Sequence, residues 1–348
     1  MRKVITATIL AITASPALAI EFPIHAHEMG IDERIGTGVH APGGGPQTNA
    51  KDLLMWRNTG GNSWSRLVPG ASNEAINANY LIYNRPVHAM AAGKVVACWR
   101  NAPEGAGHIK RPEVGTGKIF LQGNLLWIKQ TDGNFALYAH ARPGDIPASL
   151  CPKTAQFLTG KAAGGPVFND PESVVTNGAT VTAGQLLFHA GNSGNSSEPH
   201  LHMHLVNAAN TTQVMKFDRG MTTPFANNSA NLNGPWTRLN GGALPMAAIQ
   251  VWPPHPIGNW TWNNIPAAAY QRIFDHYTDS RVMLDTATCK NDGASYNTNW
   301  IPAKGSWAAN HGMTAGDFAA KKATYAAQGY TMVSAYTCGS RSVAVWRK

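Results

Sequence analysis

Charge is scarce in this sequence. Of 348 residues only 14% are Asp, Glu, Lys or Arg, against roughly 25% in an average soluble protein. Acidic residues are the scarcer half, 19 against 28 basic ones, which leaves a formal charge of +9. Low charge does not signal disorder here: 43% of the chain is hydrophobic and it holds 11 Trp, ample material for a core. Cysteine is also rare, with four in all, and the wide spacing of Cys98, Cys151, Cys289 and Cys338 fits no Cys-based zinc site. Beyond the N-terminus no apolar run reaches the about 18 residues of a membrane-spanning helix. A Gly-x-Ser-x-Gly nucleophile elbow is missing. Gly43-Gly44-Gly45 is not followed by the Gly-Lys-Ser/Thr of a phosphate loop. No nucleic-acid-binding motif accompanies the basic balance, which argues against DNA or RNA as the partner.

What the chain has instead is turn chemistry. Its 35 Gly and 22 Pro, with many Asn, favour short strands joined by turns over a mostly helical protein. The length suggests about two domains. Met1-Arg2-Lys3, the apolar Val4 to Ser15 and Ala17-Leu18-Ala19 read as a secretory signal peptide cleaved after Ala19. Its loss removes Arg2 and Lys3 and takes the formal charge from +9 to +7. A secreted or periplasmic chain meets oxidising conditions, so the cysteines are expected to pair. Of the three possible connectivities, pairing within each part of the chain, Cys98 with Cys151 and Cys289 with Cys338, is the expected one.

From about 80 to 206 the pattern is strand and turn. Asp132-Gly133 between Gly123–Lys129 and Phe135–His140 is a hairpin signal. Residues 211–258, rich in Asn, Thr, Pro and Gly, show no clear period and read as a connection that wraps one domain or links two. From 259 a helix-plus-strand pattern appears twice. Tyr270, Tyr277 and Leu284 match Phe318, Tyr325 and Met332 at a constant offset of 48. Thr314-Ala315-Gly316-Asp317 resembles a capping box, and Gly329 ends the helix that follows. Repeats of this kind are more often binding or scaffolding modules than catalysts.

His200, His202 and His204 alternate with Leu201, Met203 and Leu205, so a strand would put the imidazoles on one face. A polar strand face that happens to carry histidines is the plainer reading of the triplet alone. The flanks change that. Gly191-Asn192-Ser193-Gly194-Asn195-Ser196-Ser197-Glu198-Pro199-His200-Leu201-His202 resembles the Gly-Asn-Thr-Gly-x-Ser-x-x-Pro-His-Leu-His signature of the lysostaphin-type zinc endopeptidases, the family of LytM and staphylolysin, which cut the peptide part of bacterial cell walls. Val175–Gln185 resembles that family's Val-x-x-Gly-x-x-Val-x-x-Gly-Gln strand pair. Gly123-Asn124, Asp132-Gly133 and Tyr138-Ala139-His140 resemble its Gly-Asn…Asp-Gly…Tyr-Ala-His block. Pro86–Ala89 with Gly93-Lys94-Val95 resembles its Pro-Val-x-Ala-x-x-x-Gly-x-Val strand. The four blocks stand in the family's order over about 120 residues.

The resemblance implies a fold that is mainly β, with a small antiparallel β barrel or sandwich of the duplicated hybrid motif type over residues 20–210; the repeat pattern adds a smaller α+β domain over 259–348. It also implies a zinc site (Zn2+) in which His202 is a ligand, with His140 and His200 as the two histidines that handle the water and the developing charge. Tyr138 could orient His140 or simply pack. The chain departs from the common pattern at the remaining two ligands. The family's His-x-x-x-Asp lies a dozen residues before Pro-Val-x-Ala, where this sequence reads Asn79-Tyr80-Leu81-Ile82-Tyr83. Asn49-Ala50-Lys51-Asp52-Leu53 resembles the Ala-x-Asp-Phe strand of members with a longer gap, and His40 lies twelve residues before Asp52. His40 and Asp52 are therefore the expected ligands. His27 with Asp32, and a lost metal site, are the alternatives.

Two imidazoles and one carboxylate leave a zinc site at net +1, suited to acidifying water and attacking a peptide carbonyl. The expectation is a zinc metalloendopeptidase acting on peptidoglycan stems or cross-bridges, with an anionic cell wall as its electrostatic partner. The rival is a degenerate member that binds wall peptides or a hydrolase without cutting. His25, His88, His108, His189, His255, His276 and His311 lack motif context and receive no role.

Overall fold

A computed structural model describes residues 20–38, 40, 44–160 and 166–348. The expected signal peptide, residues 1–19, lies outside them. The described chain forms two compact units, one ending at Pro253 and the other covering Pro254–Lys348. Both are mainly β, and the antiparallel sheets are open rather than closed into a barrel.

In the first unit the principal strands are β1 (Glu33–Thr37), β2 (Lys51–Gly60), β3 (Gly93–Trp99), β4 (Asn124–Gln130), β5 (Phe135–Ala141), β6 (Leu201–Val206), β7 (Met221–Pro224) and β8 (Ile249–Trp252). They run β7-β8-β1-β2-β6-β5-β4-β3 within a 12-stranded sheet. The stretch 211–258 thus does more than connect, because β7 and β8 extend this sheet from β1. The β4–β5 hairpin turns at Gly133, whose φ of 90° suits glycine, and Asp132 Oδ1 accepts the Asn134 N–H.

Strand β6 is buried along its whole length. Its Leu201, Met203 and Leu205 enter one core with Ile35, Leu53 and Met55, each contributing about 1.5–3 kcal/mol if fully removed from water. Alternation sends His202 and His204 to the other face. Neighbouring Leu137, Ala139, Trp127 and Val206 form a second core with Trp99, Phe120 and Phe168. The Cys98–Cys151 disulfide ties the end of β3 to the loop after β5.

The second unit carries two copies of one plan. The first is β9 (Trp260–Pro266), α1 (Ala267–Asp279), β10 (Val282–Lys290) and β11 (Ser295–Pro302). The second is β12 (Trp307–Met313), α2 (Ala315–Ala327), β13 (Thr331–Cys338) and β14 (Arg341–Arg347). The sheets run β9-β11-β10 and β12-β14-β13, so in each copy the last strand lies in the middle. Helix α1 buries Tyr270, Ile273, Phe274 and Tyr277, the spacing of one apolar helix face. Thr314 caps α2 by accepting the Asp317 N–H, and Asp317 closes the reciprocal bond. Gly329, at φ 79°, ends it. Cys289 and Cys338 join the copies. No described helix is long and apolar enough to cross a membrane.

Candidate active site

Three adjacent strands set the site. In the β2–β6 register Asp52 lies opposite His202, and in the β6–β5 register His202 lies opposite Ala139. His140 follows at φ 65°, past a register shift between β4 and β5. Such an irregularity re-aims a side chain, and a non-glycine residue in the left-handed region is strained. His40 reaches in from the segment before β2.

The donor atoms converge. His40 Nδ1 lies 2.7 Å from Asp52 Oδ2, and His202 Nδ1 lies 2.9 Å from Asp52 Oδ1. One ligand atom from each of His40, Asp52 and His202 falls within 4.8 Å of the others. His200 Nε2 is 3.5 Å from Asp52 Oδ1, and the His140 ring centroid is 4.5 Å from that of His200 and 5.9 Å from that of His202. All five sequence-derived site residues therefore meet in one place. His27 does not join them and groups instead with His25 and Glu28.

The tautomers follow from the acceptors. His140 Nδ1–H donates to the Ser193 carbonyl at 2.7 Å, and His200 Nδ1–H donates to the Glu198 carbonyl at 2.8 Å. Both rings keep Nε2 for the site. With His40 Nε2–H donating to Gln47 Oε1 at 3.0 Å, His40 turns Nδ1 to the Asp52 carboxylate, a contact that a proton or a shared cation satisfies. Two imidazoles and a carboxylate are a ligand set that suits zinc, so the residues present fit that ion.

Electrostatics separate the groups. Burial pushes the Asp52 carboxyl up, but the His200, His202 and His40 imidazoles around it hold it well below the usual carboxylate range. Burial pushes His140 well down, with the nearby His200 and His202 adding to the effect. His202 is also lowered by burial, against the pull of Asp52. For His40 the Asp52 hydrogen bond raises the pKa, and His200 is likewise raised because Asp52 outweighs its burial.

Sequence reasoning missed several supports. His204 Nδ1 lies 2.9 Å from His202 Nε2, and burial lowers its pKa to about 3. A neutral His204 can accept the His202 Nε2 proton and leave Nδ1 bare toward Asp52. The third histidine of His-x-His-x-His was the available signal. Fully buried Asn124 donates from Nδ2 to the Ala102 and Ala141 carbonyls, while its own N–H donates to Ser193 Oγ. That network holds the Ser193 carbonyl that fixes His140. Tyr138 packs rather than orienting His140: it is fully buried, and its oxygen accepts the Met90 N–H at 2.7 Å. Beside His40 and Asp52 opens a cleft of ≈ 270 Å³ lined by Gly36, Leu54, Trp56, Phe225 and Ala248. A larger cavity, ≈ 520 Å³, lies within the repeat unit.

Comparison with known proteins gives partial likenesses. A family profile described as a polyglycine hydrolase-like structural repeat matches residues 304–348, the second copy. No curated protein matches. Among solved structures, the catalytic domain of the antimicrobial peptidase lysostaphin from Staphylococcus simulans is 20% identical; the likeness covers 45% of this chain and 87% of that one, at a TM-score of 0.21. The metalloprotease pseudoalterin, from the deep sea, is 17% identical over 59% of this chain and 78% of its own, at 0.28. A zinc-containing peptidase from Vibrio cholerae is 15% identical over 47% of this chain and 48% of its own, at 0.22.

Proposed function

We propose that the chain is a secreted zinc metalloendopeptidase that hydrolyses peptide bonds in bacterial peptidoglycan stems or cross-bridges. In this reading His40, Asp52 and His202 hold the metal, and His140 and His200 are the catalytic pair. The observation that carries it is the grouping of three ligand atoms within 4.8 Å beside two further imidazoles whose Nδ1 atoms are committed to carbonyls. A bound zinc ion supplies Lewis acidity, lowering the pKa of water toward neutrality and polarising a carbonyl.

The chain's own residues do the rest. His140 and His200 share proton acceptance and hydrogen-bond donation to the developing oxyanion through Nε2. Asp52 stays ionised and draws the three surrounding imidazoles into register. The Trp56 and Phe225 cleft gives a peptide an apolar wall beside the ligands. Residues 1–19 act as the signal peptide, 20–210 as the peptidase domain, 211–258 as a segment that extends its sheet before leading on, and 259–348 as a module that attaches to wall or partner.

The test joins metal content to wall lysis. Purified mature protein is expected to hold zinc that His202→Ala loses, and Asp52→Ala is expected to abolish lysis of peptidoglycan. Wall binding without bound zinc would instead identify a non-catalytic member that only binds wall peptides or a hydrolase partner.

A further inference from the structure

A second group of metal-ligating side chains lies where the sequence offered no motif. His25 precedes, and His27 and Glu28 sit within, a short 3₁₀ turn covering Ala26–Glu28. Residues three apart eclipse in such a turn, which brings His25 and Glu28 to one side. One ligand atom from each of His25, His27 and Glu28 lies within 4.8 Å of the others. Donors bound at about 2.1 Å in a tetrahedral site stand about 3.4 Å apart, and His27 Nε2 already lies 3.8 Å from Glu28 Oε1. From the group we infer that His25, His27 and Glu28 form a second binding site for a divalent transition-metal ion, with ligands that differ entirely from His40, Asp52 and His202.

The surroundings orient this set as a metal site needs. Glu28 is fixed at both oxygens: Oε1 lies 2.7 Å from His88 Nε2, and Oε2 accepts the His25 backbone N–H at 3.2 Å. His88 is itself aimed, because its Nδ1 lies 3.0 Å from the Gly184 carbonyl. A histidine that orients a ligating carboxylate from behind is the outer support on which metal affinity depends. The His25 and His88 rings stack at 4.0 Å between centroids, 18° from parallel, which fixes the buried ligand. Burial is graded across the set: His25 is buried, Glu28 half-buried and His27 exposed. The exposed side gives an ion a path in and leaves room for water or another ligand. Two imidazoles and one carboxylate select zinc, copper, nickel or cobalt over calcium or magnesium, which prefer all-oxygen shells.

The test is metal stoichiometry of the untagged full chain, equilibrated with zinc and measured by elemental analysis, with cobalt absorption as a spectroscopic readout. Exposed His27 is the variant of choice, since its replacement removes no core packing. The wild type is expected to bind two ions, His27→Ala one, and His27→Ala with Glu28→Gln one. His88→Gln is expected to weaken the second ion about 10–100-fold at unchanged stoichiometry. His202→Ala separates the two sites. If it leaves one ion that His27→Ala then removes, this site stands whatever becomes of the peptidase reading. If His27→Ala and Glu28→Gln leave the ion count and affinity of the wild type unchanged, the second site is overturned.

Discussion

His202 uses both of its ring nitrogens, and that fixes what a neighbouring residue must do. Its Nδ1 faces Asp52 and its Nε2 faces His204. For Nδ1 to be a bare ligand, the proton must sit on Nε2 and find an acceptor. His204, kept neutral by burial, is that acceptor. His204→Phe preserves the ring packing against Trp127 but removes the acceptor. It is expected to weaken zinc binding about 10–100-fold in chelator competition, with partial recovery in His204→Asn. Glu104 offers a different residue-scale outcome. Its carboxylate accepts the Asn192 N–H at 2.8 Å and the Tyr83 hydroxyl at 2.9 Å, yet burial outweighs these bonds and raises its pKa. The folded state therefore holds this proton to higher pH than the unfolded state. Stability falls as pH rises from the ordinary carboxylate range through the raised value. Glu104→Gln removes that slope. Calorimetry is expected to show the variant gaining on the wild type in Tm between about pH 4 and neutrality.

At the scale of elements, the turn before β4 carries more than a change of direction. Gly123 has φ 62°, and a Cβ there would collide with the Ser193 backbone, whose carbonyl fixes His140. Gly123→Ala is expected to cost about 1–3 kcal/mol from conformation alone, and more from the collision. Denaturant unfolding measures that loss, and activity is expected to fall with it. Thr314 is a milder case, remote from chemistry: Thr314→Ala is expected to destabilise by about 1 kcal/mol and leave cleavage of a small peptide unchanged. The contrast explains what the sequence made legible. The α2 cap depends on neighbours three residues apart, and the histidine face of β6 depends on strict alternation, so both could be read locally. Strands β7 and β8 could not, because four-residue segments buried almost throughout carry no period. The joining of Asp52 to His202 rests on a strand register 150 residues apart in sequence. Only resemblance, not periodicity, pointed to it. The supports at Gln47 and Asn124 depend on ring and amide geometry that no spacing encodes, as does the gathering of His25, His27 and Glu28.

For the whole molecule the decisive quantity is the imbalance of 28 basic against 19 acidic residues on a sparsely charged chain. The surplus is a long-range property, whereas the proposed site groups are half-buried or buried and in direct contact, where salt screens less. The two should therefore separate by salt. Between about 0.01 M and about 1 M the Debye length shrinks from about 30 Å to about 3 Å, which removes attraction between a basic surface and an anionic wall but barely touches contacts of the kind that join Asp52 to His40 and His202. Co-sedimentation with purified cell walls is expected to fall steeply over that range. Cleavage of a short uncharged peptide by the same sample is expected to change little. Salt-insensitive wall binding would show that attachment rests on shape and hydrogen bonding, and would move attention from net charge to the aromatic-lined cavity of the repeat unit, where Tyr270, Phe274 and Tyr296 stand beside Asp292, Asp317 and Arg341. Equal loss of both activities would mean that salt acts on the proposed site groups themselves, contrary to their direct contact.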